Sequence, residues 1–261
     1  MKFPRKTGIA LLVCLALAGS AFGYYKYMER SSNPWNAPTV GDVPAPAGFF
    51  RTAAEAGSFL EYSRKLPLKE KDAKVLYHRG GEAKMQVLSA AVVDLPTLSN
   101  AEQCADVCMH LRAEWLWKRG AYGQIRFTNC SGREMRYAGG ASKEAFEAYL
   151  RSVYQECNTR SMFNETEVRD VKDVEAGDVF TAYAGQLWWT TGGLGHAVII
   201  VDVAKDKKGR TAVLLAEGNT PARSIHILRN PNPLRNPWYV LGNGSRGFLY
   251  GMCRAENLRH W

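Results

Sequence analysis

The spacing of hydrophobic and polar positions changes along the chain, and each change marks an element. Over residues 1–23 the apolar positions are nearly continuous: Lys2, Arg5 and Lys6 precede an uncharged run from Gly8 to Ala18, and Ala21-Phe22-Gly23 has the small-x-small form of a cleavage site. This reads as a secretory leader or, if uncleaved, as an anchor from Thr7 to Tyr25 just long enough to span a bilayer. Over residues 24–47 the periodicity disappears. Ser31-Ser32-Asn33-Pro34, Pro38, Pro44 and Pro46 read as a tether. A single domain is expected over 48–261.

Within that domain a short helix is expected from Ala53 to Lys65, closed by Pro67, followed by a β-hairpin joining Val75-Leu76-Tyr77 to the run Met85 to Val93. Ser99 with Glu102 three residues later has the form of a capping box, and Cys104, Cys108, Leu111 and Trp115 recur at helical spacing until Gly120. Gln124 to Thr128 alternates as a strand, and Ser142 to Cys157 reads as a second amphipathic helix. The remainder is strand-like: Asp178 to Tyr183, His196 to Val203, Val213 to Glu217 and Ile225 to Leu228, with Lys205 to Arg210 as a hairpin turn. Helices first and an antiparallel sheet afterwards predict an α+β fold.

Composition narrows the class. With 46% hydrophobic residues and seven Trp, the chain can bury a core without metals or dense cross-links. The net charge is +9, and without the leader's three basic residues it is +6 (31 Lys and Arg against 25 Asp and Glu). The remaining basic residues are scattered with no nucleic-acid-binding motif, so no nucleic-acid partner is expected. A leader places the domain in a periplasmic or secreted compartment, where thiols can oxidise, and membrane contact is expected only through an uncleaved N-terminal segment. Val13 before Cys14 is a poor fit to a lipid-attachment site. The five other cysteines, Cys104, Cys108, Cys130, Cys157 and Cys253, are odd in number, which leaves at least one thiol without an intramolecular partner.

The chemistry concentrates around His196. Glu175-Ala-Gly-Asp-Val-Phe180, Trp188-Trp189 and Gly192-Gly-Leu-Gly195 lead to this imidazole at the mouth of an apolar strand, a position suited to a general base. A hairpin turning about Lys207-Lys208 sets His196 opposite Asn219 and Val198 opposite Glu217, so either polar side chain can orient the ring. Cys104, near the start of the capped helix, is the candidate nucleophile, since a helix N-terminus favours a thiolate. Trp188, Trp189 and Gly195 are candidates for substrate contact. Five His without ligand spacing, and Cys104 and Cys108 without a second ligand pair, predict no metal; no phosphate-binding loop is present, and no cofactor is expected.

Several blocks, in order, resemble the DUF4846 family of bacterial envelope proteins: Gly57-Ser-Phe59, Leu66-Pro-Leu68, Gln103-Cys-Ala-Asp106, Leu111-Arg-Ala-Glu-Trp115, Gly177-Asp-Val-Phe180, Gly195-His-Ala-Val-Ile-Ile-Val-Asp202, His226-Ile-Leu, Asn230-Pro231 and Pro237-Trp-Tyr239. The order of a Cys-bearing helix, a Gly-Asp segment, a Gly-His strand start and a polar residue on the next strand is also similar to the papain-like NlpC/P60 and CHAP cysteine hydrolases. That resemblance implies a papain-like (NlpC/P60-like) fold of helices packed on an antiparallel β-sheet, with Cys104 as nucleophile, His196 as base, and Glu217, or Asn219 in its place, as orienting group. It also implies an amidase or peptidase acting on peptidoglycan peptides or a similar acyl substrate. The alternative is a noncatalytic envelope module whose aromatic cleft binds a glycan, peptide or protein.

Overall fold

The computed structural model describes residues 19, 23, 32–183, 195–232, 237–242 and 253–261. The segment expected to be a leader, apart from residues 19 and 23, and the pair Trp188-Trp189 lie outside the described residues. Among the described residues no helix is long and apolar enough to cross a membrane.

The fold is α+β, built on one large antiparallel sheet. Among the described residues its nine strands are β1 (Phe49–Arg51), β2 (Ser89–Val92), β5 (Glu167–Val168), β6 (Val179–Ala182), β7 (His196–Asp206), β8 (Thr211–Glu217), β9 (His226–Leu228), β10 (Tyr239–Val240) and β11 (Leu258–His260). The main path runs β2-β9-β8-β7-β6-β11-β5, with β1 added to the far end of β7 and β10 to the far end of β8. A separate hairpin pairs β3 (Arg126–Thr128) with β4 (Glu134–Arg136). Among the residues from 32 on that the structure describes, four helices accompany the strands: α1 (Phe59–Arg64), α2 (Cys104–Lys118), α3 (Lys143–Glu156) and α4 (Thr159–Glu165).

The sheet is buried on both faces, which explains the near-continuous apolar run of β7. Ala197, Ile199 and Val201 of β7 and Leu214 and Ala216 of β8 share one core with Val107, Cys108 and Leu111 of α2. Val198, Ile200 and Leu215 face a second core with Phe180, Tyr239, Cys253 and Leu258. Both core faces of the β7–β8 hairpin follow from alternation, except at Val201. There the register shifts between Ile200 and Asp202, and the extra residue puts Val203 on the opposite face from Val201.

Three expectations are corrected. Residues 33–47 are no tether: Val40 and Val43 are fully buried, Asn33 anchors the backbone at Ala37 and Lys69, and Trp238 donates its indole N–H to the Pro44 carbonyl. The Pro-rich composition fits irregular backbone whose polar groups are satisfied by the domain. The hairpin expected over 75–93 does not form, because β2 pairs with the distant β9 while Leu76 and Tyr77 make only isolated bridges, to Glu82 and Arg223. The helix expected from Ala53 begins only at Phe59, where the Ser58 hydroxyl accepts the Glu61 N–H.

Candidate active site

Helix α2 starts later than its pattern suggests, and this decides where Cys104 stands. Ser99 and Glu102 form a turn ahead of the helix: the Ser99 hydroxyl accepts the Ala101 N–H, and the Glu102 carboxylate accepts the Leu98 N–H at 2.5 Å. The helix itself begins at Cys104, with Gln103 as its cap and Asp106 accepting the Gln103 N–H at 2.9 Å. Cys104 therefore occupies the first helical position rather than the second turn, within reach of the unsatisfied N–H groups of the helix start.

The β7–β8 hairpin brings the partners. Ile199 faces Ala216 and Ile200 faces Leu215, the register expected for a turn about Lys207-Lys208, and the Val201 bulge lies between this end and the turn. His196 and Glu217 thus end adjacent strands side by side, and His196 Nε2 lies 2.6 Å from Glu217 Oε2. The Cys104 sulfur is hydrogen-bonded to the His196 side chain. Cys104, His196 and Glu217 form one row. Asn219 does not touch the imidazole; its amide lies 3.5 Å from Glu217 Oε1 and stands behind the carboxylate.

Pattern reading did not single out His226. It pairs with Glu217 across β8 and β9, is buried, and sets Nε2 3.3 Å from Glu217 Oε1 and Nδ1 3.0 Å from the Ser224 carbonyl. Each Glu217 oxygen therefore meets a different imidazole. Its sequence signal is a place near the start of the strand-like run 225–228, but the connection over residues 218–225 leaves its partner on β8 unspecified.

These contacts set the electrostatics. Burial works against the His196 cation, but the Glu217 charge, the Cys104 sulfur and the hydrogen bonds to both hold its pKa well above the ordinary imidazole value. Burial also opposes ionisation of Glu217, yet His196 and then His226 hold its carboxyl far below the usual carboxylate range. Cys108, one turn beyond Cys104 and fully buried, is pushed well above the usual thiol value, chiefly by desolvation. It suits a core residue, not a nucleophile. All five described cysteines are free thiols.

A cleft of about 440 Å³ opens beside Cys104, lined among others by Gln103, Asp106, Tyr154, Thr159, Gly195 and Thr220. Gly195 lines it for steric reasons: a Cβ there would collide with Thr159 Oγ1 and stand 2.5 Å from the Ala182 carbonyl. It is a point of close packing between α4 and the β6–β7 edge. Trp188 and Trp189 lie outside the described residues. Away from this cleft, Glu175, Asp178 and His260 bring one potential ligand atom each within 4.8 Å of the others, but Arg169 already pairs with Glu175 at 2.6 Å and with Asp178 at 3.5 Å. A guanidinium there competes with any cation.

The family model DUF4846, Domain of unknown function (4846), matches the chain in two segments, residues 41–142 and 137–249, which together take in Cys104, His196, Glu217 and His226. No curated protein matches the chain. No solved structure matches it either.

Proposed function

As the chain belongs to the DUF4846 family, named for a domain of unknown function, we propose its function from the site itself: a papain-like cysteine hydrolase of the cell envelope, cutting amide bonds of peptidoglycan peptides or a similar acyl substrate. The observation that carries this reading is the row Cys104, His196, Glu217, with the nucleophile at the first turn of α2 and a 440 Å³ cleft in front of it.

In the first step the Cys104 sulfur attacks the scissile carbonyl carbon. The developing oxyanion is met by the free N–H of the α2 start and by the Gln103 side-chain amide, whose Oε1 is already held by the Thr220 hydroxyl at 2.8 Å, leaving its NH₂ to donate. The carbon–nitrogen bond breaks as the His196 imidazolium passes its proton to the leaving amine, and a thioester remains. Water then adds to the thioester while His196 takes its proton, and the acid leaves as the Cys104 sulfur is released. Glu217 holds the ring and offsets its charge throughout; an amine in place of water gives acyl transfer by the same residues.

The test is to incubate purified protein and its Cys104→Ala variant with purified sacculi and to profile released fragments by mass spectrometry. New peptide termini from the wild type alone support the reading. Identical profiles from the two proteins on sacculi and on a panel of acyl amides count against it and favour a noncatalytic binding module.

A further inference from the structure

His226 stands at a position that an apolar side chain would fill at less cost. On β9 it lies between Val92 of β2 and Glu217 of β8, with Ile225 and Ile227 beside it along the chain, and Val92, Ile225 and Ile227 are all fully buried. The imidazole residue itself is 4% exposed. Burying a polar ring is unfavourable unless its nitrogens are paired, and here both are. Nδ1 lies 3.0 Å from the Ser224 carbonyl, and Nε2 lies 3.3 Å from Glu217 Oε1. Ser224 is fixed in turn: its N–H donates to the Leu76 carbonyl at 2.9 Å, and its hydroxyl accepts the Leu76 N–H at 3.1 Å. The ring is a strut between a braced piece of backbone and one oxygen of the site's carboxylate.

That oxygen is the one His196 leaves over. Glu217 Oε2 meets His196 at 2.6 Å, while Oε1 has, besides His226, the Asn219 amide at 3.5 Å, the outer limit of a hydrogen bond. The last torsion of a glutamate side chain is broad, so a carboxylate gripped at one oxygen pivots about that bond, whereas one gripped at both has a single orientation. His226 supplies the second grip. A displacement of about 1 Å in a catalytic arrangement can cost about a hundredfold in rate, so this grip bears on chemistry as well as on folding.

We propose that His226 is a positioning residue of the site: through Oε1 it keeps Glu217 turned so that Oε2 stays on His196 and the imidazole stays aligned with the Cys104 sulfur. The inference rests on reading Cys104, His196 and Glu217 as a catalytic row, and it adds the residue that holds the row from behind. His226 acts through the carboxylate, not on the substrate.

The two bonds of the ring can be removed separately. In His226→Asn the shorter amide takes the place of Nδ1, which keeps the bond to Ser224 but does not reach Glu217. In His226→Gln the longer amide takes the place of Nε2 and keeps a donor toward Oε1. The experiment measures alkylation of Cys104 by iodoacetamide at pH 7 on the full chain by peptide mass spectrometry, with the folding of each variant checked by its thermal transition. His226→Asn is expected to slow alkylation at least about fivefold, and His226→Gln to retain about half of the wild-type rate. In a Glu217→Gln background the difference between the two is expected to close, because a residue that acts through the carboxylate has nothing left to act on. Equal rates in His226→Asn and His226→Gln, a wild-type rate in His226→Asn, or a difference that persists in the Glu217→Gln background overturns the proposal. Should His226→Asn not fold, His226→Met, which fills the space without a donor, takes its place against His226→Gln with the same expected order. His196→Ala in the same assay separates the proposal from the reading beneath it. A wild-type rate in His196→Ala removes the row and the proposal together, whereas a slow His196→Ala beside a fast His226→Asn removes the positioning role alone.

Discussion

At the scale of single residues, the site depends on how Glu217 is held. A carboxylate 4% exposed at its side chain stays ionised because two imidazoles face its two oxygens. Removing one leaves a buried charge short of a partner. We therefore expect His226→Leu to cost about 2 to 4 kcal/mol of folding stability in urea unfolding, and His226→Gln, which keeps a donor toward Oε1, to cost clearly less.

The same contacts give stability a pH signature. Glu217 has its pKa lowered by folding, so its contribution is present above the ordinary carboxylate range and is lost as pH falls through the folded value. His196 has its pKa raised, so its contribution is complete below about 6.5 and is lost as pH rises through the folded value. Glu217→Gln is expected to flatten both limbs of a plot of urea midpoint against pH, and unchanged limbs would mean that other groups set them. Cys104, His196 and Glu217 were legible in the sequence because a Gly-His strand mouth, a hairpin register and a helix start are local patterns. His226 was not, since the connection over residues 218–225 leaves its partner on β8 unspecified until the strands are paired.

Among the elements, the close approach of α2 to the end of β8 aligns the row. Gly218 follows Glu217 directly, and a Cβ there would stand 2.5 Å from Val107 Cγ2 and 3.3 Å from the Gln103 carbonyl. Gly218→Ala is expected to push α2 from the strand end, costing about 1 to 3 kcal/mol and slowing modification of Cys104 by iodoacetamide. Adding Val107→Ala should restore part of the rate by making room. If the double variant is no faster than Gly218→Ala alone, the contact does not position the nucleophile.

Register explains what was readable among the elements. The β7–β8 hairpin is closed by a polar turn centred on Lys208, where Asp206 accepts the N–H of Lys208 and Arg210; Lys205 faces Thr211 there, one residue off the register expected for a turn about Lys207-Lys208, and the Val201 bulge brings the pairing back to the expected one at the site. The Val201 bulge left no mark in the apolar pattern, because a strand buried on both faces is apolar at every position. The start of α2 was misplaced for a related reason: Ser99 and Glu102 have the residues of a capping box but close a separate turn, whereas Gln103 is an uncommon cap.

Across the whole molecule, the sheet interlocks segments far apart in sequence. Strand β2 pairs with β9, β1 with β7, and β11 from the end of the chain lies between β6 and β5. Trp261 extends this closure, with its ring 6.3 Å from Phe127 and Arg112 of α2 over its face at 5.1 Å. One cooperative unfolding transition is expected for residues 32–261 by calorimetry, and deletion of 253–261 is expected to lower the midpoint sharply or prevent folding. Survival of the deleted chain at an unchanged midpoint would show that β11 is dispensable. The antiparallel sheet was foreseeable from the strand-rich second half. The β2–β9 pairing was not, since nothing local specifies a partner more than a hundred residues away.

The central claim, that His196 and Glu217 hold Cys104 as a poised nucleophile, is tested most directly by the rate of Cys104 alkylation by iodoacetamide at pH 7, read by peptide mass spectrometry in wild type, His196→Ala and Glu217→Gln. An imidazole that takes the sulfur's proton speeds the reaction, and the carboxylate acts by holding the ring. The account predicts a rate at least about tenfold lower in His196→Ala and an intermediate rate in Glu217→Gln. Equal rates in the three proteins would contradict it.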